Sequence, residues 1–276
     1  MTAQAATATA GLVEVNGARL WVEDSGGDGP PIVFSHGLLW SGAMYAPQIA
    51  ALRDRYRCIS FDFRGQGKSP AANSGYDMDT LSTDAIALLE KLKLPPVHFV
   101  GLSMGGFIGM RVAARRPELV RSLSLLETAA DAEPFWNRPR YRAMLAVERL
   151  FGMRPLVGAV MKIMFGKAFL TDPARAAERA ALRERLLGND MTGMRRAILG
   201  VITRRPIAPE LGKIRTPTLV LSGAGDVAVV SARSRQMADA IAGAKFVVVP
   251  RAGHTSTLEE PALVTAELDK FLASVA

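Results

Sequence analysis

The chain has 276 residues, 49% of them apolar, a length that suits one large α/β domain or a core with an insertion and a composition that excludes wholesale disorder. Its single cysteine, Cys58, excludes an intramolecular disulfide and fits a reducing compartment. Most of the net charge of +8 lies in residues 131–211, with 15 Lys and Arg against 8 Asp and Glu; no zinc-ligand spacing, RNP-like aromatic motif or long Lys/Arg run accompanies it, which argues against nucleic acid and leaves Arg-rich solvated helix faces or attraction of an anionic substrate.

Residues 1–11, MTAQAATATAG, lack the basic start and apolar stretch of a secretory signal and are expected to form a flexible tail. No segment reaches the ~18 consecutive apolar residues of a membrane span, so a soluble, cytoplasmic protein without an integral membrane segment is expected. LVEVNGARLWVE (12–23) alternates around Asn16-Gly17, a pair that tolerates positive φ, and predicts an antiparallel hairpin. PIVFSHG (31–37) predicts a strand buried on both faces, residues 43–54 a helix, and RCISFDF (57–63) a strand with Cys58 as a small core residue. Residues 77–93 carry apolar spacing near 3.6 with Asp77 or Asp79 as the cap. VHFVG, SLSLLET (122–128), TPTLVLSG (216–223) and AKFVVVP (244–250) predict further strands. Helices are predicted over 104–115, 231–242 and 259–275. Such alternation specifies an α/β fold with a mostly parallel sheet covered on both faces and antiparallel strands at one edge.

Residues 131–211 break the rhythm. They contain no convincing strand, but helix-like pieces punctuated by prolines, and six of the twelve methionines: Met144, Met153, Met161, Met164, Met191 and Met194. The expected organisation is a core of 12–130 and 212–276 with a helical insertion at 131–211. Methionine suits a surface that repacks around varied apolar ligands, or fills the contact between insertion and core.

In VGLSMGG a buried strand runs into a turn and then directly into a helix. So tight a turn strains its central residue and requires small neighbours, which accounts for Gly101, Gly105 and Gly106. It lifts Ser103 clear of the carboxyl edge of the sheet and leaves the Met104 amide free to stabilise a developing oxyanion. A serine nucleophile needs a base. Of the three histidines, His98 lies inside a strand and His36 shapes the loop after PIVFS, whereas His254, in PRAGHTSTLEEP, occupies a late loop able to reach across the sheet edge. Asp226, in LSGAGDVAVV, is the preferred acidic partner, with Glu127 as competitor; Asp62 is set aside because a local ion pair with Arg64 is expected. The Leu38 amide, or that of Leu39, is the expected second oxyanion donor. Trp40, Met104, Phe107, Trp136 and Met144 are candidates to line an apolar acyl or aryl pocket.

At these residues the chain resembles the α/β-hydrolase superfamily, in the branch of esterases, lactonases and cofactor-free perhydrolases, on FSHGLL, DFRGQGKS, VGLSMGGFIGM, LSGAGD and AGHTSTLEEP. GLSMGG is similar to the elbow of enol-lactonases and related arylesterases. The resemblance implies Ser103 as nucleophile, Asp226 as acid, His254 as base and Leu38 and Met104 as oxyanion donors, with the insertion as a cap that shapes substrate access and no metal or organic cofactor. Serine at the elbow, where dehalogenases and epoxide hydrolases carry aspartate, argues against both; carbon–carbon-bond hydrolases share the serine. The expected function is hydrolysis of a small carboxylic ester, lactone or thioester. Peracid formation, carbon–carbon cleavage and a small-molecule receptor on a hydrolase scaffold stand as alternatives.

Overall fold

A computed structural model describes residues 7–275. Eight strands form one sheet in the order β1-β2-β4-β3-β5-β6-β7-β8. They are β1 (Thr9–Val15), β2 (Ala18–Asp24), β3 (Pro31–Ser35), β4 (Arg57–Phe61), β5 (Val97–Leu102), β6 (Val120–Leu126), β7 (Thr218–Gly223) and β8 (Lys245–Val249). Asn16 and Gly17 both adopt positive φ, +46° and +71°, as the hairpin between β1 and β2 requires. β2 pairs antiparallel with β4, and every pair from β4 to β8 is parallel. β3 and β5 are buried along their whole length, which explains why they read as continuous apolar runs.

The helices are α1 (Ala46–Leu52), α2 (Met78–Lys91), α3 (Met104–Arg115), α4 (Arg138–Phe151), α5 (Val157–Met164), α6 (Lys167–Thr171), α7 (Ala176–Leu187), α8 (Met191–Ile202), α9 (Ser231–Asp239), α10 (Ser256–Glu259) and α11 (Pro261–Ala273). Buried residues of α2, α3 and α9 pack on one face of the sheet, and those of α1 and α11 on the other. Between β6 and β7 the described chain contains helices but no strand. Among the described residues no helix is long and apolar enough to cross a membrane.

Chain direction sets where a ligand can sit. The connection after β3 runs to β4 on one side, while β5 pairs with β3 on the other. The strand order therefore reverses between β3 and β5, and the crevice outside their carboxyl ends is where open α/β sheets bind ligands. Ser35 at the end of β3 stands opposite Gly101 near the end of β5, so the loop His36–Trp40 and the Ser103 turn that opens α3 leave the sheet side by side.

Two expectations are corrected. Thr9, Ala10 and Gly11 pair with Asp24, Glu23 and Val22, so the tail expected over 1–11 is shortened by backbone pairing with β2; residues 1–6 lie outside the described residues. Arg64 does not pair with Asp62. Its Nε and Nη2 donate to Asp84 Oδ2 and Oδ1 at 2.8 and 2.6 Å, Asn16 Nδ2 adds a bond to Asp84 at 2.9 Å, and both charged side chains are buried. Asp62 instead accepts from the Gly42 and Lys68 amides, each at 2.7 Å. Two loop amides thus take the local acceptor, and the guanidinium turns to the helix behind it.

The Arg64–Asp84 pair ties the hairpin turn, the loop after β4 and α2 together. Burial pushes the Asp84 carboxyl up despite the Arg64 hydrogen bond, so removing either partner leaves an uncompensated polar group inside. Asp84→Ala is expected to lose about 3–5 kcal/mol of unfolding free energy. Asp77→Ala, which removes the exposed cap bond to the Thr80 amide at the start of the same helix, should lose only about 1 kcal/mol. Urea titrations of the two variants check the difference; equal losses would contradict it.

Candidate active site

Ser103 sits between β5 and α3 at φ 51° and ψ −110°, a sparsely populated conformation that costs on the order of 1–3 kcal/mol. Packing holds it there. A Cβ on Gly101 would stand 2.4 Å from the Gly105 carbonyl oxygen, and one on Gly105 would stand 1.9 Å from that of Ser35. The helix start is thus pressed onto the ends of β3 and β5. The Ser103 amide donates to Leu126 O at 2.8 Å, and the Thr128 hydroxyl donates to Ser103 O at 2.9 Å.

His254, on the loop between β8 and α10, places Nε2 2.9 Å from Ser103 Oγ and Nδ1 2.8 Å from Asp226 Oδ2. With Nδ1–H donating to Asp226, Nε2 is left to accept the serine proton. Asp226 lies just after β7, and its Oδ1 accepts from the Ala228 and Val229 amides at 2.8 and 2.9 Å. One carboxylate oxygen is fixed by backbone, so the other is aimed at the imidazole. All three side chains are buried. The Leu38 and Met104 amides have no acceptor among the described residues. The loop carrying Leu38 is shaped by Leu39 at φ 71° and by His36, whose Nδ1–H donates to Gly37 O at 2.7 Å while Nε2 accepts from the Phe63 amide at 3.0 Å. Burial holds the His36 imidazole below its ordinary range, consistent with that neutral tautomer. His98 is buried against Ser122 Oγ, and burial pulls its pKa down to about 4.

A cavity of about 130 Å³ opens against Ser103 and His254. Of the candidate lining residues, Trp40, Phe107 and Met144 belong to its wall, and so do Met153, Met164 and Met191. Trp136 does not. It is 67% exposed and packs edge-on against Phe135, itself 73% exposed, in the segment just before α4. The Met104 side chain is also absent from the wall; it turns into the core, with Gln66 Nε2 3.9 Å from its sulfur.

Charged groups missed in the sequence complete the surroundings. Glu133, Glu148 and Arg204 line an otherwise apolar cavity, with Arg204 paired to Glu133 at 2.9 Å and Glu148 to Arg195 at 2.6 Å. Partners so far apart in sequence leave no local signal and read as solvated helix charges. Glu259 accepts from the amides of Gly253, Thr255 and Gly166, fixing both sides of His254 and joining them to the segment between α5 and α6. Its signal was present: an acid a few residues after Thr255, near the spacing of a capping box.

A family model described as the alpha/beta hydrolase fold matches residues 30–261. A provisionally named carbamate hydrolase, RutD, of Variovorax paradoxus is 30% identical, covering 90% of this chain and 93% of its own. The crystal structure of an enol-lactonase from Burkholderia xenovorans superposes with a TM-score of 0.87 at 32% identity, covering 95% of this chain and all of that one. A thermophilic esterase from Thermogutta terrifontis reaches 0.86 at 26% identity, covering 98% and 99%.

Glu127, the competing acid, follows β6 at φ 44°, fully buried, and neither carboxyl oxygen makes a well-formed hydrogen bond, although the Ser256 hydroxyl and the Gly223 backbone lie near. Burial, then the neighbouring Asp226 charge, pushes its carboxyl well above the usual range. The group stays protonated in the fold at pH values where the unfolded chain ionises, so the stability it contributes is full below about pH 4.3 and is lost as pH rises through the folded value. Glu127→Gln removes that loss. The melting temperature of the variant relative to the parent should therefore climb with pH above about 4.3; a pH-independent difference in thermal melts would contradict it.

Proposed function

Since the chain belongs to the alpha/beta hydrolase fold family, we propose that it is a serine hydrolase that cleaves carboxylic esters or lactones through an acyl-enzyme. The observation that carries this reading is the continuous hydrogen-bond chain Ser103–His254–Asp226 at the wall of an apolar cavity, beside two amides without acceptors. His254 Nε2 takes the Ser103 proton as Oγ attacks the carbonyl carbon, and Asp226 stabilises the imidazolium and holds its orientation. The Leu38 and Met104 amides receive the oxyanion. Collapse expels the alcohol, which leaves with the proton from Nε2. Water, deprotonated by the same nitrogen, then attacks the acyl-enzyme, releases the acid and restores Ser103.

Residues 131–211 act as a cap in this reading. Their methionines and the Trp40 and Phe107 rings surround the acyl or aryl part of a small, mainly apolar substrate. The Thermogutta and Burkholderia proteins, an esterase and an enol-lactonase by name, support the reaction class. Glu127 is excluded as the acid here because Asp226 already occupies Nδ1 and because an unpartnered, fully buried carboxyl is kept neutral by desolvation.

Ser103→Ala and His254→Ala should each lower kcat on p-nitrophenyl acetate and butyrate by about 10⁴-fold or more, and the double variant by little beyond the worse single one, since the groups act as a unit. A fluorophosphonate should label Ser103 alone. Retention of most esterase activity by Ser103→Ala, or a label mapped elsewhere, would overturn the proposal. A stoichiometric release of product without turnover would point to a receptor instead.

A further inference from the structure

Two residues that line the cavity, Arg204 and Trp40, each carry a buried donor without an acceptor: Nη2 of Arg204 and the indole Nε1 of Trp40. The rest of the Arg204 guanidinium is fully engaged. Nε donates to Asp131 O at 3.0 Å, and Nη1 donates to Glu133 Oε2 at 2.9 Å and Val201 O at 3.0 Å. Its plane lies over the Phe107 ring, 4.3 Å from the centroid. Three hydrogen bonds and an aromatic face therefore fix the fork and leave one buried edge unsatisfied in a residue of the cavity lining. Arg204 is only 4% exposed, so bulk water does not serve that edge. A buried donor left in this state is costly, and a ligand oxygen is the natural acceptor.

The position suits a substrate spanning the cavity. Phe107 follows Ser103 by one helical turn on α3, its amide donating to Ser103 O at 3.0 Å. Arg204 thus lies over the ring of the residue one helical turn beyond the nucleophile. The charge of Arg204 is already matched by Glu133, and Glu148 on the same wall is matched by Arg195. A carboxylate entering the cavity would face two glutamates; an uncharged oxygen would not. The indole of Trp40 is a neutral donor of the same preference.

We propose that Arg204 determines specificity by donating from Nη2 to a second, uncharged oxygen of the substrate, a ketone or similar carbonyl carried on the part that fills the cavity and remote from the scissile bond. This deepens the serine-hydrolase reading and rests on it. Substrates of this class are oxo-esters and oxo-lactones on an otherwise apolar frame.

The test uses p-nitrophenyl esters of matched length: plain alkanoates, oxoalkanoates with the ketone moved along the chain beyond the carbon next to the ester, and dicarboxylic half-esters, each corrected for its rate with hydroxide. At one ketone position kcat/KM is expected to exceed that of the plain ester by about tenfold or more, the size of a hydrogen bond to a charged donor. Half-esters should gain nothing. Arg204→Lys, which keeps a cation for Glu133 but loses the fork, should bring the oxo-to-plain ratio close to one, with thermal melting checking that the variant is folded. No favoured ketone position, a preference for half-esters, or a ratio that survives in folded Arg204→Lys would each overturn the proposal.

A second measurement separates this from failure of the hydrolase reading. Ser103→Ala, titrated calorimetrically with an oxoalkanoate amide and the matching alkanoate amide, should bind the oxo compound about tenfold more tightly. Equal affinities would overturn the subsite whether or not any ester is turned over. Tighter binding of the oxo amide beside an absence of turnover in the parent would sink the hydrolase reading while sustaining the subsite.

Discussion

The contact on which the rest depends is the approach of the start of α3 to the carbonyl end of β3. Gly105 lies so close to Ser35 O that no side chain fits between them. This closeness brings the strained Ser103 turn beside the loop carrying Leu38, and it does so where the strand order reverses. Relaxing it by even a methyl group would push the helix away from the sheet, and the serine hydroxyl would move relative to the amides and the imidazole. Backbone packing therefore sets the chemistry before any side chain contributes.

The sheet, its antiparallel edge and the placement of Ser103, Asp226 and His254 on loops at one rim were legible because each rests on a local pattern. Apolar runs mark strands buried on both faces, Asn16-Gly17 marks a hairpin, and a serine among glycines between strand and helix marks a strained turn. What was illegible rests on contacts distant in sequence. Arg64 was expected to pair with the nearby Asp62, yet its partner is Asp84 on α2. Arg204 and Glu133, at opposite ends of the insertion, meet only in the fold. Trp136 was a reasonable pocket residue by type, but side-chain type does not report which side of a helical layer it occupies, and it faces outward.

Burial handles the acids around the site in three ways. Asp226 is held by two amides and the imidazole. Glu259 collects amides from three residues. Glu127 receives no well-formed hydrogen bond and is pushed toward its neutral form by burial. Three carboxyls in one region thus meet different surroundings, set by the donors that the backbone supplies to each.

The Glu259 clasp couples two segments that are far apart in sequence. Its carboxylate holds Gly166, and the Thr255 hydroxyl donates to Met164 O at 2.8 Å, so the turn after α5 is fastened to both neighbours of His254. Swinging that turn outward would drag the imidazole off the serine. The turn and the histidine loop thus move as one piece, and the Nε2–Ser103 contact registers any displacement of either.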